Sequence, residues 1–432
     1  MPFYPKAFHP ERISILHASI RHSSLAVLRA AGINLILLQC LFLALFSYVF
    51  GSLSQQNTHV HNINIVFVDY DDDGLIGSAV REAYQQLEGP AFPSLVEQSP
   101  SQYPEPSTLF STVCNIDYWG ALYIAPNAST RLAAALTGSG VYNPDEVFTL
   151  IWNEARYPST IDSALVNNLG VLLDMARISY SKLNGTQPIL SMLNGTDPVA
   201  VATFANPWVL QSNNILPTTQ GERLVFNTIM IILILLQEFF YVGIVNAILA
   251  KSQFYSRLAS HHIVFFRLFI SLIYTFIGSL CTAGAIWAFR YGWHVNANQF
   301  VLTWVVIWLF AHLNFLAFDV FTIWIPVQYV PMALVTWIVL NVTSILLPFE
   351  LSPAFYKWAY AIPAHSVFQV LIDVWSSGCN PQLSYALPVL FAYEIVGLAL
   401  TSIGVYRRAH YAGLAQEKVE KVIQSTGGEH PG

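Results

Sequence analysis

From Leu224 to Tyr406 apolar runs follow one another with little polar sequence between them, and no other feature constrains the fold as tightly. The first run, Leu224 to Ala250, exceeds the roughly 20 apolar residues that cross ~30 Å of hydrocarbon, and Glu238 is its only charged residue. Four more candidate spans follow: Ile263 to Phe289, Gln299 to Ile325, Tyr329 to Pro348 and Tyr385 to Tyr406. A sixth, Ile33 to Phe50, precedes them. Its long basic flank, its long apolar core and the absence of an A-x-A-like site after Phe50 mark an uncleaved span rather than a signal peptide. A bilayer as solvent explains why 54% of the residues are hydrophobic and only 10% charged, where soluble proteins average about 25% charged.

The sequence therefore predicts a polytopic α-helical membrane protein with six transmembrane helices and an α/β or α+β extracytoplasmic domain between helices 1 and 2. The expected segments are a cytoplasmic basic stretch (1–32), the first span (33–50), the extracytoplasmic domain (51–222), a five-helix membrane domain (224–406) with an outer interfacial loop at 349–384, and a cytoplasmic tail (407–432). Residues 1–32 carry Lys6, Arg12, Arg21 and Arg29. Ile13, Leu16 and Ile20 fall at helical spacing, which suits either a helix on the inner membrane surface or a disordered basic tail. With the N-terminus inside, Lys251, Arg257, Arg407 and Arg408 also fall on the cytoplasmic side.

The opposite face receives the segment after Phe50, with fifteen acidic and five basic residues up to Gly221. It also receives the N-glycosylation sequons at Asn127, Asn184 and Asn194. Cys40 and Cys281 lie in apolar runs, whereas Cys114 and Cys379 share the outer face and form the one disulfide open to the chain, if that face is oxidising. Within the domain, strands are expected at Asn62–Asp69, Tyr118–Ala125 and Glu146–Trp152. A helix follows Ile76, a second is capped by Ser129 or Thr130, and a third, capped by Ser159 or Thr160, runs from Ile161 to Leu183. Pro90 to Pro106 reads as a link.

No phosphate-cradling G-x-x-x-x-G-K-[ST] loop, G-x-S-x-G elbow or H-E-x-x-H pair occurs, so no enzyme, cofactor or metal is expected. Asp69, Asp71, Asp73 and Gly74 match half of an EF-hand loop, but Val80 occupies the position of the closing Glu, and a solvated turn is the better reading. Net charge −6 without a basic patch argues against nucleic acid. The sharper signal is charge inside the spans, which is expensive in hydrocarbon. Counted from the outer face at a rise of about 1.5 Å per residue, Glu238 lies ~21 Å, His312 ~20 Å and Glu394 ~14 Å deep. These three form an intramembrane polar set suited to a proton route, or equally to locking helices together. Arg267 and Asp319 fall together toward the cytoplasmic side and are expected to pair.

INIVFVDYDDDGLIG after one span, a later YWGALYIAPNAST and a five-span block closing on an aromatic, Pro-broken loop resemble the fungal membrane proteins related to the yeast nitrosoguanidine-resistance protein. The spans of that family are similar to the permease half of ABC-2-type exporters. The likeness covers Ile33 to His410. It implies a multi-pass protein of the plasma membrane or endomembranes, linked to tolerance of toxic compounds and to lipid asymmetry between leaflets. It carries over no catalytic or binding residues. Membrane lipids and amphipathic small molecules are the implied partners. Because the chain has no nucleotide-binding domain, ATP-driven export would need a separate ATPase, and assembly as a homo-oligomer is open. A proton-coupled route would draw on Glu238 and Glu394. The competing expectation is a membrane scaffold or sensor whose outer domain binds a ligand or partner.

Overall fold

The computed structural model describes residues 21–71, 74–140, 142–183, 193–218, 229–290 and 295–427. It divides into two compact units, Met1–Gly51 and Ser52–Gly432. The first contains helix α1 (Arg21–Ser52), which begins well before Ile33, so the expected boundary between basic segment and span is not a structural break. The helix expected over Ile13, Leu16 and Ile20 lies outside the described residues.

The second unit begins with a mixed sheet. Strands β1 (Asn64–Asp69), β2 (Ser94–Gln98), β3 (Gly120–Ile124), β4 (Phe148–Trp152) and β5 (Leu210–Asn214) lie in the order β2-β1-β3-β4-β5. β1 pairs in parallel with β2 and β3, β4 is antiparallel to β3, and β5 is parallel to β4. Ile65, Val66, Phe67 and Val68 of β1 are all buried, which explains its continuous apolar run: a strand covered on both faces has no polar side to show. Helices α2 (Leu75–Leu87), α3 (Pro106–Cys114), α4 (Ala128–Leu136), α5 (Pro158–Ile161), α6 (Asn168–Leu183) and α7 (Pro198–Ala205) accompany the strands. α3 lays Leu109 and Val113 on Val66, Val68, Ala121 and Ile151. α5 runs into α6 through a π-helical stretch, Asp162–Asn167.

Several local expectations give way here. Pro90 to Pro106 is no plain link, since it contains β2. Ser129 does not cap α4, whose N-cap is Asn127 at φ 56°, and α5 opens on Pro158 without a side-chain cap. The Ser129 hydroxyl instead accepts from the Ile76 N–H at 3.1 Å, and its own N–H donates to the Asp71 carboxylate at 3.0 Å. Asp69 and Asp71 are buried rather than solvated: Asp71 sits at the first turn of α4, where the helix dipole favours an anion, and Asp69 pairs with Arg81 at 2.9 Å. Asp73 lies outside the described residues.

The membrane block comprises α8 (Met230–Lys251), α9 (Phe254–Arg257), α10 (Ser260–Ala288), α11 (Ala297–Trp324), α12 (Val330–Thr343), α13 (Pro363–Trp375) and α14 (Leu383–Gly427). Among the described residues five helices, α1, α8, α10, α11 and α14, are long and apolar enough to cross a membrane, which makes this a polytopic helical membrane protein. α12, expected as a full span to Pro348, stops at Thr343 and is only about 21 Å long. There the Asn341 carboxamide oxygen accepts the Ala364 N–H at 3.1 Å, so α12 ends against the first turn of α13. α14 does not stop at Tyr406; the tail continues the same helix to Gly427. A Cβ on Gly397 would sit 2.8 Å from Leu316 Cβ, so α14 approaches α11 through a position that only glycine fits.

Residues 349–384, expected as an outer interfacial loop with short helices, are largely built into the fold. They form a 3-10 segment, Ala354–Ala361, and α13, which is buried from Pro363 to Ile372. Trp375 Nε1 donates to Thr303 of α11, while Phe368 meets Tyr157 of the sheet domain with ring centroids 5.2 Å apart. α13 is therefore packed between bundle and sheet domain. A disulfide between Cys114 and Cys379, S–S 2.06 Å, ties the end of α3 to the segment after α13.

Candidate functional site

Apolar side chains dominate the outer faces of these helices, and polar ones are drawn inside. Phe265 is 73% exposed and Ser271 is 0% exposed on the same helix. Hydrocarbon offers no hydrogen bonds, so polar groups turn toward one another. On α10, Arg267, Ser271, Thr275 and Ser279 recur every fourth residue and are all buried, which places them on one face toward α11.

His312 of α11 is the centre of the first cluster. Its Nδ1 lies 2.6 Å from Glu394 Oε1 on α14, and its Nε2 lies 3.1 Å from Ser271 Oγ on α10. The Ser271 hydroxyl also donates to the Leu268 carbonyl at 2.8 Å. The imidazole thus bridges a carboxylate and a hydroxyl carried by two other helices. Glu394 Oε2 is buried without a partner. Acid, imidazole and hydroxyl stand in the order of a hydrolase triad, but the serine proton is committed to its own helix and the side chain is fully enclosed.

Glu238 of α8 is buried, and its Oε2 has no partner. No hydrogen bond or ion pair among the described residues joins it to His312 or Glu394. Of the three groups expected near mid-depth, the structure joins His312 and Glu394 by a direct contact and shows none from Glu238 to either among the described residues.

The second cluster is larger than the expected pair. Arg267 Nη2 bonds Asp319 Oδ1, and Arg408 of α14 reaches the same oxygen at 3.4 Å. Asn246 Oδ1 accepts from both guanidinium groups, at 3.0 and 2.9 Å, as does the Tyr255 hydroxyl, at 2.9 and 3.2 Å. Arg408 also donates to Thr322 Oγ1 at 2.8 Å. Five helices, α8, α9, α10, α11 and α14, meet at one buried carboxylate. Ser271, Asn246, Tyr255, Thr322 and Arg408 were not singled out by sequence reasoning. The fourfold spacing on α10 was the available signal for Ser271, whereas Arg408 reads as an ordinary flanking cation.

Of the sequons, Asn127 and Asn194 are exposed, and Asn194 Oδ1 accepts from Thr196 Oγ1 at 2.7 Å. Asn184 lies outside the described residues.

Fold and clusters together define an integral membrane protein whose bundle is organised around buried polar side chains and joined to a mixed-sheet domain. The chain belongs to the family described as protein of unknown function (DUF3533), whose model matches residues 34–399. It is also 21% identical over 299 residues to an uncharacterized endoplasmic reticulum membrane protein of Saccharomyces cerevisiae, an alignment covering 66% of this chain and 58% of that protein. The chain thus spans less than two thirds of that relative's length. No solved structure matches.

Proposed function

We propose that this protein exports or redistributes amphipathic small molecules or lipids across its membrane, and that the His312–Glu394 pair exchanges a proton in the process. The observation that carries this reading is the contact between His312 and Glu394 at 2.6 Å, set between three span-forming helices, with Glu394 Oε2 lacking a hydrogen-bond partner among the described residues. On this reading the protein is not an enzyme. α12, despite its length, is the sixth transmembrane element, both termini are cytoplasmic and the sheet domain is extracytoplasmic. The disulfide and the exposed Asn127 and Asn194 support that placement, since an oxidising compartment is where both would be used. The name of the yeast relative supports the endoplasmic reticulum over the plasma membrane. The resemblance to the nitrosoguanidine-resistance proteins and ABC-2-type permeases adds toxin tolerance to the reading, with a separate ATPase or a second copy of the chain as partner.

A second reading, a membrane scaffold or sensor with a ligand-binding outer domain, is favoured by the Arg267–Asp319–Arg408 network, which ties helices together without any evident route through them. Retention of a fluorescent amphipathic drug and of a labelled phospholipid, in fungal cells with and without the gene, separates the two. The transport reading expects faster loss or altered leaflet distribution with the wild type, and its disappearance in Glu394→Gln at matched membrane levels. Unchanged handling of both probes would favour the scaffold.

A further inference from the structure

A separate polar site lies at the seam between sheet domain and bundle. Trp119, Arg156 and Tyr157 of the sheet domain face Glu350, His365 and Tyr385 of the membrane block across a chamber of about 60 Å³. That is room for a few waters or one compact polar group. The disulfide pins its wall: Ile116 and Asn380, both lining residues, lie two residues and one residue from Cys114 and Cys379. Ile116 is held at φ 70°, a left-handed conformation unfavourable for a β-branched side chain.

Arg156 is the unusual member. It is 3% exposed, its guanidinium lies 5.2 Å over the Trp119 ring, and Nη1 makes one long bond to the Tyr118 carbonyl at 3.5 Å. Nη2 is buried with no partner at all. Glu350 lines the same chamber, yet no ion pair joins the two. A buried guanidinium N–H left open is an expensive feature unless something accepts from it. The Tyr157 hydroxyl, buried beside Gln369, is the neighbouring donor.

Apart from Glu350, the other lining groups supply no competing charge. His365 Nδ1 faces the Ser344 carbonyl and Nε2 the Tyr385 hydroxyl, the pattern of a neutral imidazole, and burial pushes its pKa down to about 4. Burial raises the phenols of Tyr157 and Tyr360, so they stay neutral. Burial lowers Arg156 to about 10, still a cation at neutral pH. Glu350 is the one acid, raised by burial against the pull of Arg156 and Lys357.

We infer that this chamber binds the oxyanion of a phosphate group, with Arg156 as its cationic partner and Glu350 as the carboxylate that competes with it. Planar guanidinium donors match phosphate oxygens. The group has two sources, a lipid headgroup or free phosphate. The site stands whether or not the bundle transports anything, because its readout is binding alone.

The test uses the full chain in a maltoside detergent, titrated calorimetrically with inorganic phosphate and, separately, with a short-chain phosphatidic acid. Saturable binding of at least one probe is expected, weakened tenfold or more by Arg156→Gln. Glu350→Gln should tighten binding at pH 7 and reduce its loss between pH 5 and 8 relative to wild type. Binding of free phosphate assigns the soluble source, and binding of phosphatidic acid alone assigns the lipid. Should Arg156→Gln fail to fold, the Glu350→Gln comparison still decides. Absence of binding for both probes, or binding indifferent to Glu350→Gln, overturns the proposal and leaves a chamber filled by water.

Discussion

The sheet domain and the membrane bundle place their polar groups in opposite ways. In the sheet domain the central strand is apolar, with Ile65 to Val68 fully buried, buried charges such as Asp69, Asp71 and Arg156 lie beyond the strands' apolar runs, and ion pairs such as Arg131–Glu146 lie at the surface. In the bundle Asp319, Asn314 and Asn341 are as fully buried as apolar neighbours such as Phe310 and Leu316, while Phe240 and Ile395 face outward. The difference is the solvent. Water rewards burying Val66, whereas hydrocarbon is indifferent to it and instead penalises any polar group left without a protein partner. The polar contacts between helices are therefore what sets the arrangement of the bundle, as apolar packing sets that of the sheet.

That contrast is sharpest for one carboxylate from each region. Asp319→Ala leaves the buried Arg267 guanidinium and the half-buried one of Arg408 without their anion and is expected to destabilise the bundle by about 3–5 kcal/mol. Asp71→Ala removes hydrogen bonds to Ser129 but strands no cation, and should cost about 1–2 kcal/mol. Denaturant unfolding of both variants in lipid nanodiscs checks this. Similar losses for the two would break the comparison.

A smaller effect belongs to the seam between the regions. His365 is neutral and buried in the folded protein, with a pKa pushed down to about 4. An unfolded histidine takes up a proton near pH ~6.5. The unfolded chain thus binds more protons between these values, and stability falls as pH drops through that window, in total by on the order of 3 kcal/mol below pH 4. His365→Gln should flatten the thermal midpoint between pH 7 and 4.5. A wild-type slope retained in that variant would assign the effect to another group.

Much of this architecture is legible in the sequence, for reasons that also explain what is not. β1 stands out because Val66 to Val68 must be apolar on both faces, and the spans stand out because hydrocarbon tolerates little else. β2 (SLVEQ) and β5 (LQSNN) are short edge strands with mixed polarity, and no period reveals them. α13 looks interfacial from its aromatics and prolines, but Pro363 stands at its first turn, where proline is harmless, and the aromatics are burying themselves against Tyr157 and Thr303. Depth along a helix follows from counting residues, which is why Arg267 and Asp319 can be matched. Rotation about the helix axis advances about 100° per residue and depends on packing, so counting residues does not tell which of Glu238, His312 and Glu394 make contact.

The proton-exchange reading is tested most directly in liposomes. The purified protein would be reconstituted with a labelled amphiphile, and movement of the label followed under a pH gradient of either sign. The account predicts movement that changes with the sign of the gradient in wild type and is lost in both Glu394→Gln and His312→Gln. Movement that ignores the gradient, or that persists unchanged in Glu394→Gln, would contradict it.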